Sequence, residues 1–272
     1  MKTELYIIEA LTNIHVGSGD INFDIVDNQV QRDTITTLPI IHSSSLKGAF
    51  REHFRDKGKQ LVTYIFGPEN DESDSHQSGA YSFFEAELLS RPVRSNKKAY
   101  FNAISPSVIK HLLQMSETFG IDLEEKELLE TLSNLNPIQP IIFEDIQGVI
   151  LEDDEAEYQN IDVTQLKSLL GENLALFSDE SFKKLDLPVI ARNKIAKDEN
   201  DDSNLWYEEI VPKKSKFFFF IAKPEDDNLD PKDKQQKIDG FDRRFENEGE
   251  IIQIGANKSI GYGFCKIKRI SK

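Results

Sequence analysis

The sequence predicts an α+β domain in which one chain of 272 residues carries long insertions. Strand-like and helix-like segments alternate irregularly, which argues against a wound parallel sheet. The chain also shows neither a fixed-period repeat nor a clean linker. Because this length can bury a substantial core, we expect a single domain over residues 1–272.

The N-terminal region predicts two strands and a helix. Residues 5–14 and 24–31 show strand character, and the turn GSGD at 17–20 separates them. A hairpin, or two paired strands, is the simplest interpretation. Residues 45–56 then predict a helix with an apolar stripe, which Lys57-Gly58 can end.

The middle of the chain mixes loop, strand and helix. Residues 67–79 are rich in Gly, Pro, Asn, Asp and Ser, which predicts a flexible loop. The elements predicted after it are a strand at 80–89, a helix at 107–114, helical spacing at 116–132, a strand at 138–151, and a short helix at 163–170 that Gly171 can end. We therefore interpret residues 107–170 as a helical insertion.

The last third of the chain is rich in β signals. Residues 189–196 and 205–211 flank an acidic turn and predict a long hairpin over 189–211. The further predictions are a buried strand at 217–222, a solvated loop or helix start at 225–237, a helical continuation at 240–247, and two strands joined by a glycine-bearing turn at 250–270.

Composition limits the classes of function. The 48 acidic and 33 basic residues give a net charge of -15, which argues against unspecific attraction to nucleic acid over the whole surface. The acids are clumped, so basic groups can still collect on one face. Two basic clusters are candidates: Lys47, Arg51, Arg55, Lys57 and Lys59, and Arg91, Arg94, Lys97 and Lys98.

The cellular setting follows from cysteine content and hydropathy. One cysteine, Cys265, excludes an internal disulfide. The N-terminus lacks the uninterrupted apolar core of a signal peptide, and the longest apolar run is too short to span a bilayer. We expect a reducing, cytoplasmic protein with no membrane partner.

A serine run before the first predicted helix suggests an anion site. Ser43, Ser44 and Ser45 are interpreted as N-cap residues of a helix whose free N–H groups suit a phosphate. Lys47 and Arg51, four positions apart, share one face of it. A serine cap before a helix with exposed basic residues is also a common structural feature.

A second candidate for phosphate contact is the loop IGANKSIGYGFC, with Gly255, Gly261 and Gly263 around Lys258. A Walker A loop would end in Gly-Lys-Ser or Gly-Lys-Thr at a helix start, whereas this loop runs into a strand, so nucleotide hydrolysis is not predicted. A tight hairpin turn and a loop that contacts a phosphate backbone both remain open.

Acid–base chemistry has candidates between positions 15 and 27. Carboxylates can hold a divalent cation or take a proton from a ribose hydroxyl, and histidine can act as acid or base. Asp20 and Asp24 are interpreted as turn residues, since turn aspartates are mostly structural. His15 and Asp27 are the functional candidates.

The single tryptophan, Trp206, lies beside Glu208 and Glu209 in the predicted hairpin. Hairpin aromatics can stack on bases, but more often anchor the hairpin to its own core, so core is the default for Trp206. Because the two glutamates alternate faces, at least one is expected to reach solvent.

Several separated segments together resemble one family. In order they are HVGSGD, IVDNQVQRD, LPIIHSSSLKGAFRE, IFGPE, GAYSFFEAELLSRPVRS, LPVIARN, LWYEEIVP and IGANKSIGYGFCKI. Over residues 8–267 they are similar to the RAMP superfamily, and PVRS and LWYEE point to its backbone subunits (subunit four) of type III-B (Cmr) CRISPR effector complexes. The chain departs from the family's usual Pro-Gly before the serines, where it has Ile41-His42, and in its acidity.

The resemblance implies an RNA-recognition-motif-like (ferredoxin-type) core with helical insertions and a protruding β-hairpin thumb at 189–211. It implies that copies of the subunit stack along CRISPR guide RNA with the other Cmr subunits. Complementary target RNA would be cut at regular intervals in a reaction that needs a divalent metal ion, Mg²⁺ or Mn²⁺. A non-catalytic filament scaffold, and less so a small-molecule enzyme of ferredoxin-like fold, are the alternatives.

The resemblance also implies roles for individual residues. Asp27 matches a catalytic aspartate and potential metal ligand, and His15 matches a histidine beside it. Glu208 falls in a segment that supplies an acidic residue, with Glu209 the less certain choice. The residues implied to bind RNA are Ser45, Lys47, Arg51, Lys258 and Arg94.

Overall fold

The computed structural model describes residues 1–19, 26–68, 78–194, 204–225 and 240–270. Within these ranges no helix has the length and hydropathy needed to cross a bilayer. The α-helices are Ser43–Phe54 (α1), Lys59–Phe66 (α2), Pro106–Thr118 (α3), Lys126–Ser133 (α4), Lys167–Leu170 (α5) and Asp179–Lys184 (α6). The strands are Lys2–Ala10 (β1), Ile40–Ile41 (β2), Ser82–Phe83 (β3), Ala86–Val93 (β4), Phe101–Ile104 (β5), Ile141–Ile142 (β6), Ile150–Leu151 (β7), Asp154–Glu155 (β8), Glu157–Tyr158 (β9), Leu174–Leu176 (β10), Val189–Lys194 (β11), Asn204–Glu209 (β12), Lys216–Lys223 (β13), Glu250–Gln253 (β14) and Phe264–Arg269 (β15).

Eleven strands form one large mixed sheet, in the order β14-β15-β1-β13-β4-β5-β10-β6-β9, with β2 joined to β4 and β3 to β13. The central strand β1 runs antiparallel to β13 on one side and to β15 on the other. Parallel pairs occur only toward one end of this order, between β5 and β10 and between β6 and β9. The predicted α+β class is confirmed at this level.

The predicted buried strand at 217–222 is confirmed as β13, which is buried at every position. Its phenylalanines alternate between two layers. The ring of Phe219 stacks on that of Tyr6, with 5.2 Å between the ring centroids, and meets the ring of Phe50 in α1 edge-on, with 5.8 Å between the centroids. Phe220 points to the other face, where its ring lies 5.2 Å from Phe119, just after α3. Because helices cover both faces, the strand is apolar throughout rather than alternating.

The predicted N-terminal hairpin is wrong in its bounds, because residues 16–18 rather than 5–14 pair antiparallel with residues 29–31, through a bridge between Gly17 and Val30. β1 ends at Ala10, and its neighbours are β13 and β15, far along the chain. Pairs such as Ile7 opposite Phe218 join two buried side chains, which the more polar segment 24–31 cannot supply. In the described part of that segment, Asn28 and Val30 make only isolated bridges. Asp20 and Asp24 lie outside the described residues, so their assignment to a turn stays a prediction.

The first helix begins earlier than predicted, and its serines are not caps. α1 starts at Ser43, its N-cap is His42, and the His42 side chain makes no capping hydrogen bond. The backbone N–H of His42 instead donates to Oε1 of Gln31 at 2.7 Å. A 3₁₀ turn extends the helix to Lys57, and Gly58 at φ +115° ends it, as the sequence predicts.

Between residues 59 and 176, short-range signals misplace several elements. α2, β5 and β10 have no counterpart among the predictions, the strand expected at 80–89 divides into β3 and β4, and the expected helix at 107–114 extends over α3. The predicted strand at 138–151 is wrong, because Gly148 at φ +64° and the acids before it leave only β6 and β7. The segment 107–170 therefore contains four short strands as well as helices.

The predicted hairpin partners do pair. β11 and β12 form a separate antiparallel ladder from Val189 opposite Glu209 to Lys194 opposite Asn204. Their connection at 195–203 lies outside the described residues, as does most of the predicted loop at 67–79 and all but the first residue of the one at 225–237. In 240–247 the structure forms a 3₁₀ turn, and β14 and β15 pair antiparallel across the glycine-bearing turn, as predicted.

Candidate active site

Segments distant in sequence converge on the last residues of β12. Oδ2 of Asp27 accepts a hydrogen bond from the backbone N–H of Tyr207 at 2.7 Å. Nδ1 of His15 lies 2.7 Å from the carbonyl oxygen of Glu209. Between these two contacts, Asn28 forms a parallel bridge with Glu208. The two predicted catalytic residues, His15 and Asp27, are therefore both hydrogen-bonded to backbone groups of the last residues of β12.

Asp27 presents an exposed carboxylate that is anchored at one oxygen. The Tyr207 amide holds Oδ2, so Oδ1 is the oxygen that remains for a proton or a cation. An anchored carboxylate loses less rotamer freedom when it engages a substrate than a free one does. Asp27 therefore has the geometry of a general base or a metal ligand.

His15 is 6% exposed, and its ring orientation is fixed. Because a carbonyl oxygen only accepts, Nδ1 carries the hydrogen that is donated to Glu209, and Nε2 is left for proton exchange. Gly17 lies above that edge of the ring, since a Cβ atom there would be 3.2 Å from Nε2. A side chain at position 17 would therefore crowd Nε2.

His15 is also joined to the loop formed by residues 255–263, here called the glycine loop. Its carbonyl oxygen accepts from the Ala256 N–H at 2.9 Å. Gly255 has φ +87°, and a Cβ atom there would lie 2.3 Å from the same oxygen. Only glycine permits this approach, which explains one of the glycines in the motif.

The two glutamates that follow Tyr207 are both buried, at 4% for Glu208 and 8% for Glu209, so the expectation that one reaches solvent is wrong. Oε1 of Glu208 accepts from Nδ2 of Asn257 in the glycine loop at 2.6 Å. Glu209 points the other way, where it pairs with Arg32 and accepts from the Val30 N–H at 3.1 Å. Alternation does separate the two side chains, but each face is covered by another segment.

Trp206 is half-buried and does not belong to the main hydrophobic core, so its default assignment to that core is wrong. Its neighbours in β12 are more exposed, at 57% for Leu205 and 40% for Tyr207. Among the described residues the ladder has two strands, and no third strand covers these apolar side chains.

The predicted phosphate site at the start of α1 is held by a buried glutamine. Nε2 of Gln31 donates to Oγ of Ser45 at 3.1 Å and to the Gly17 carbonyl at 3.2 Å. Lys47 and Arg51 are half-buried, and no ion pair involves them in the part of the chain that the structure describes. Their charges are therefore available to an anion.

The remaining predicted RNA contacts differ in availability. Lys258 is exposed at the start of a 3₁₀ turn in the glycine loop. Arg94 is already paired, because its Nε and Nη2 lie 2.7 and 2.6 Å from Oε2 of Glu152. The hydrogen bond to Glu152 raises the pKa of Arg94. An RNA role for Arg94 stays a prediction, and it would require exchange of this partner.

The second basic cluster is largely used inside the protein. Arg91 is buried and donates to the carbonyl oxygens of Leu185 and Asp186 at 2.7 and 2.5 Å. Burial lowers its pKa to about 10. Lys98 pairs with Glu144 at 2.5 Å. Arg91 and Lys98 are thus engaged by other parts of the chain rather than forming a free basic face.

A metal site is not preassembled in the described residues, where no three His, Cys, Asp or Glu side chains are grouped to hold an ion. Mg²⁺ in nucleotide-processing sites is usually bound through one or two carboxylates together with phosphate oxygens. The exposed carboxylate of Asp27 fits that pattern, with RNA as the source of further ligands. Divalent-metal binding at Asp27 stays a prediction.

Sequence reasoning missed four side chains that contact the site: Gln31, Asn257, and the pair of Arg192 and Tyr262, whose guanidinium and ring lie 4.7 Å apart beside Glu208. Of these, Asn257 gave a local signal. It stands between glycines in a short loop, where asparagine is typical of the left-handed conformation, and it has φ +64°. The others act through contacts far apart in sequence, which no local pattern reveals.

A family model described as the RAMP superfamily matches residues 7–266. The Cmr endoribonuclease Cmr4 of a CRISPR system of Pyrococcus furiosus is 29% identical over 294 residues, covering 98% of this chain and 95% of that protein. A chain of a type III-B Cmr-beta complex bound to cognate target RNA matches with a TM-score of 0.77 at 21% identity, covering 99% of this chain and 98% of that one. Oligomeric Cmr4 from Pyrococcus furiosus gives 0.74 at 24% identity, covering 100% of both chains.

Proposed function

This chain belongs to the RAMP superfamily, and from that premise we propose that it is the repeated backbone subunit of a type III-B CRISPR effector complex that binds guide RNA and cleaves complementary target RNA. The observation that supports cleavage most directly is the convergence of His15 and the exposed Asp27 on the end of β12. The relative from Pyrococcus furiosus is named an endoribonuclease, and a structurally similar chain comes from a Cmr complex with target RNA.

The proposed architecture follows the same comparison. The order β15-β1-β13-β4, each strand antiparallel to its neighbour, supports an RNA-recognition-motif-like, ferredoxin-type core, with α1 following β1. The β11–β12 ladder stands apart from the large sheet and exposes Leu205 and Tyr207, which supports a thumb role. The oligomeric relative supports stacking of copies along guide RNA. Cytoplasmic location stays a prediction.

One surface would bind the guide RNA and another would face the target RNA. The start of α1, with Ser45, Lys47 and Arg51, and the exposed Lys258 would contact the guide-RNA backbone through phosphate oxygens. His15 and Asp27 would face the target strand. Sequence specificity would come from base pairing with the guide, as in other RNA-guided systems.

The proposed reaction is attack by a ribose 2'-OH on the adjacent phosphorus. The P–O2' bond forms and the P–O5' bond breaks, which gives a 2',3'-cyclic phosphate and a 5'-OH. Oδ1 of Asp27 takes the proton from the 2'-OH, and Nε2 of His15 is the group that gives one to the leaving 5' oxygen. A displaced, unstacked nucleotide can reach the in-line geometry that this attack needs. In the alternative assignment, Oδ1 of Asp27 would instead hold a divalent ion, which would neutralise charge on the phosphate.

The test uses the assembled complex with guide RNA, matched target RNA and Mg²⁺. Asp27→Asn keeps an oxygen that can accept from the Tyr207 amide but removes the base, so cleavage should fall by about 10²- to 10⁴-fold while target binding persists. Asp162→Asn is the matched control, because Asp162 is also an exposed aspartate that accepts from a backbone N–H. Unchanged cleavage in Asp27→Asn would exclude the catalytic assignment, and target binding without cleavage in the wild type would favour a scaffold.

A further inference from the structure

One face of the hairpin formed by β11 and β12 contacts the glycine loop at two points. The first is the hydrogen bond from Nδ2 of Asn257 to Oε1 of Glu208, at 2.6 Å. The second is the guanidinium of Arg192, which lies over the ring of Tyr262 at 4.7 Å from its centroid. Glu208 and Arg192 come from different strands of the hairpin, so the loop is held by both.

The conformation of Asn257 directs its side chain out of the loop. Its backbone is left-handed, at φ +64°, and its carbonyl oxygen accepts from the N–H groups of Ile260 and Tyr262 at 3.1 and 3.2 Å. This closes the turn that contains Lys258. The side-chain amide is then free to reach Glu208, and the position of Lys258, the next residue, is set by that contact.

Arg192 lies on the same face of the ladder as Glu208. It pairs directly with Trp206, so Glu208 is its diagonal neighbour, and its Nη2 is 3.5 Å from Oε1 of Glu208. Its Nε and Nη2 atoms are buried and have no hydrogen-bond partner in the described residues. Among the described residues, the ring of Tyr262 and the charge of Glu208 are the groups that contact this cation.

We propose that Glu208, Arg192, Asn257 and Tyr262 form a latch that couples the hairpin to the glycine loop, and that Glu208 serves the cleavage reaction as a positioning residue. The carboxylate is buried and engaged with Asn257, whereas that of Asp27 is exposed. The same loop donates the Ala256 N–H to the His15 carbonyl. The glycine loop, which carries the proposed RNA contact Lys258, is therefore hydrogen-bonded both to the hairpin and to His15. This inference rests on the proposed function.

The first experiment separates positioning from proton transfer. In the assembled complex with guide and target RNA, Glu208→Gln keeps an oxygen that accepts from Asn257, while Glu208→Ala removes it. A latch predicts that Glu208→Ala loses about tenfold or more in both guide affinity and cleavage, the factor to which one charge-assisted hydrogen bond corresponds. Glu208→Gln keeps the hydrogen bond but lacks the charge beside Arg192, so it should lose less than Glu208→Ala, and it should lose guide affinity and cleavage together. Loss of cleavage in Glu208→Gln with unchanged guide affinity would make Glu208 a catalytic residue and overturn the latch.

The second experiment measures the latch without RNA. Asn257→Gly keeps the left-handed backbone but removes the amide, and Asn247→Gly is its control, since Asn247 also has a positive φ, of 50°. Hydrogen exchange at the amides of Ile260 and Tyr262 should speed up about tenfold in Asn257→Gly and stay at the wild-type rate in Asn247→Gly. Equal exchange in the two variants would overturn the latch.

The two readouts fail in different ways. If the wild-type complex neither binds guide RNA nor cuts target, the proposed function fails, and with it the role of Glu208 in cleavage, whatever the exchange rates show. If the wild type binds and cuts but the loop amides exchange at the same rate in Asn257→Gly as in the wild type, only the latch is refuted.

Discussion

Gln31 should contribute about 2 kcal/mol to the free energy of unfolding, because its side chain joins three parts of the site. It is buried and makes three hydrogen bonds, from the His42 N–H at 2.7 Å, to Oγ of Ser45 at 3.1 Å and to the Gly17 carbonyl at 3.2 Å. Each such bond contributes about 0.5–1.5 kcal/mol. Gly17 is exposed and Ser45 half-buried, so water can replace part of those two, which brings the sum to about 2 kcal/mol rather than the upper limit.

Gln31→Met keeps the length of the side chain and removes its polar atoms, so the expected loss comes from the hydrogen bonds rather than from a cavity. Urea unfolding should give a lower midpoint with an unchanged slope. Gln147→Met is the control, because Gln147 is exposed and its side chain donates to the neighbouring Asp145, and it should change the free energy of unfolding by less than about 0.5 kcal/mol. A loss in Gln31→Met no larger than that of the control would refute the reasoning.

Two further predictions concern charge. Replacing Lys47 and Arg51 with alanine together should reduce the salt dependence of guide-RNA binding, lowering the slope of log K against log salt by about 1 to 2, since each neutralises one phosphate. Lys110→Ala, at an exposed lysine of α3, should leave the slope unchanged, and an unaltered slope in the double variant would return both residues to ordinary surface positions. Burial opposes ionisation of Glu4, but the charge and hydrogen bond of Lys223 prevail and hold its pKa at about 2, below the usual 4.5. The lowered pKa contributes about 3 kcal/mol to the free energy of unfolding above pH 4.5, and this contribution is lost as the pH falls toward 2. The free energies of unfolding of the wild type and Glu4→Gln, measured in urea, should therefore converge over that pH range. A difference between them that stays constant with pH would contradict the prediction.

Much of the fold was accessible from local patterns. The run of phenylalanines in β13, the apolar stripe of α1 with its stop at Gly58, the pairing of β11 with β12 and the final two strands each depend on side-chain periodicity or on a glycine, which are properties of a few neighbouring residues. The bounds predicted for the N-terminal hairpin were wrong because the partners of β1 are strands near the other end of the chain. Such pairing is chosen by how much apolar surface it buries, which only the assembled sheet defines.

The candidate site shows the same division at the level of single side chains. Residue chemistry and local spacing identify the groups that are able to act: a histidine, an aspartate, two basic residues on one helix face, and a glycine loop that can approach backbone closely. Their roles depend on contacts that form only in the folded chain. In the folded chain Glu208 and Glu209 are buried on opposite faces of β12, and Arg94 forms an ion pair with Glu152. His15 and Asp27 are both hydrogen-bonded to the end of β12. The reason is physical, since burial and hydrogen-bond partners depend on segments that meet only in the folded chain, whereas residue chemistry and local backbone preference are fixed by the sequence alone.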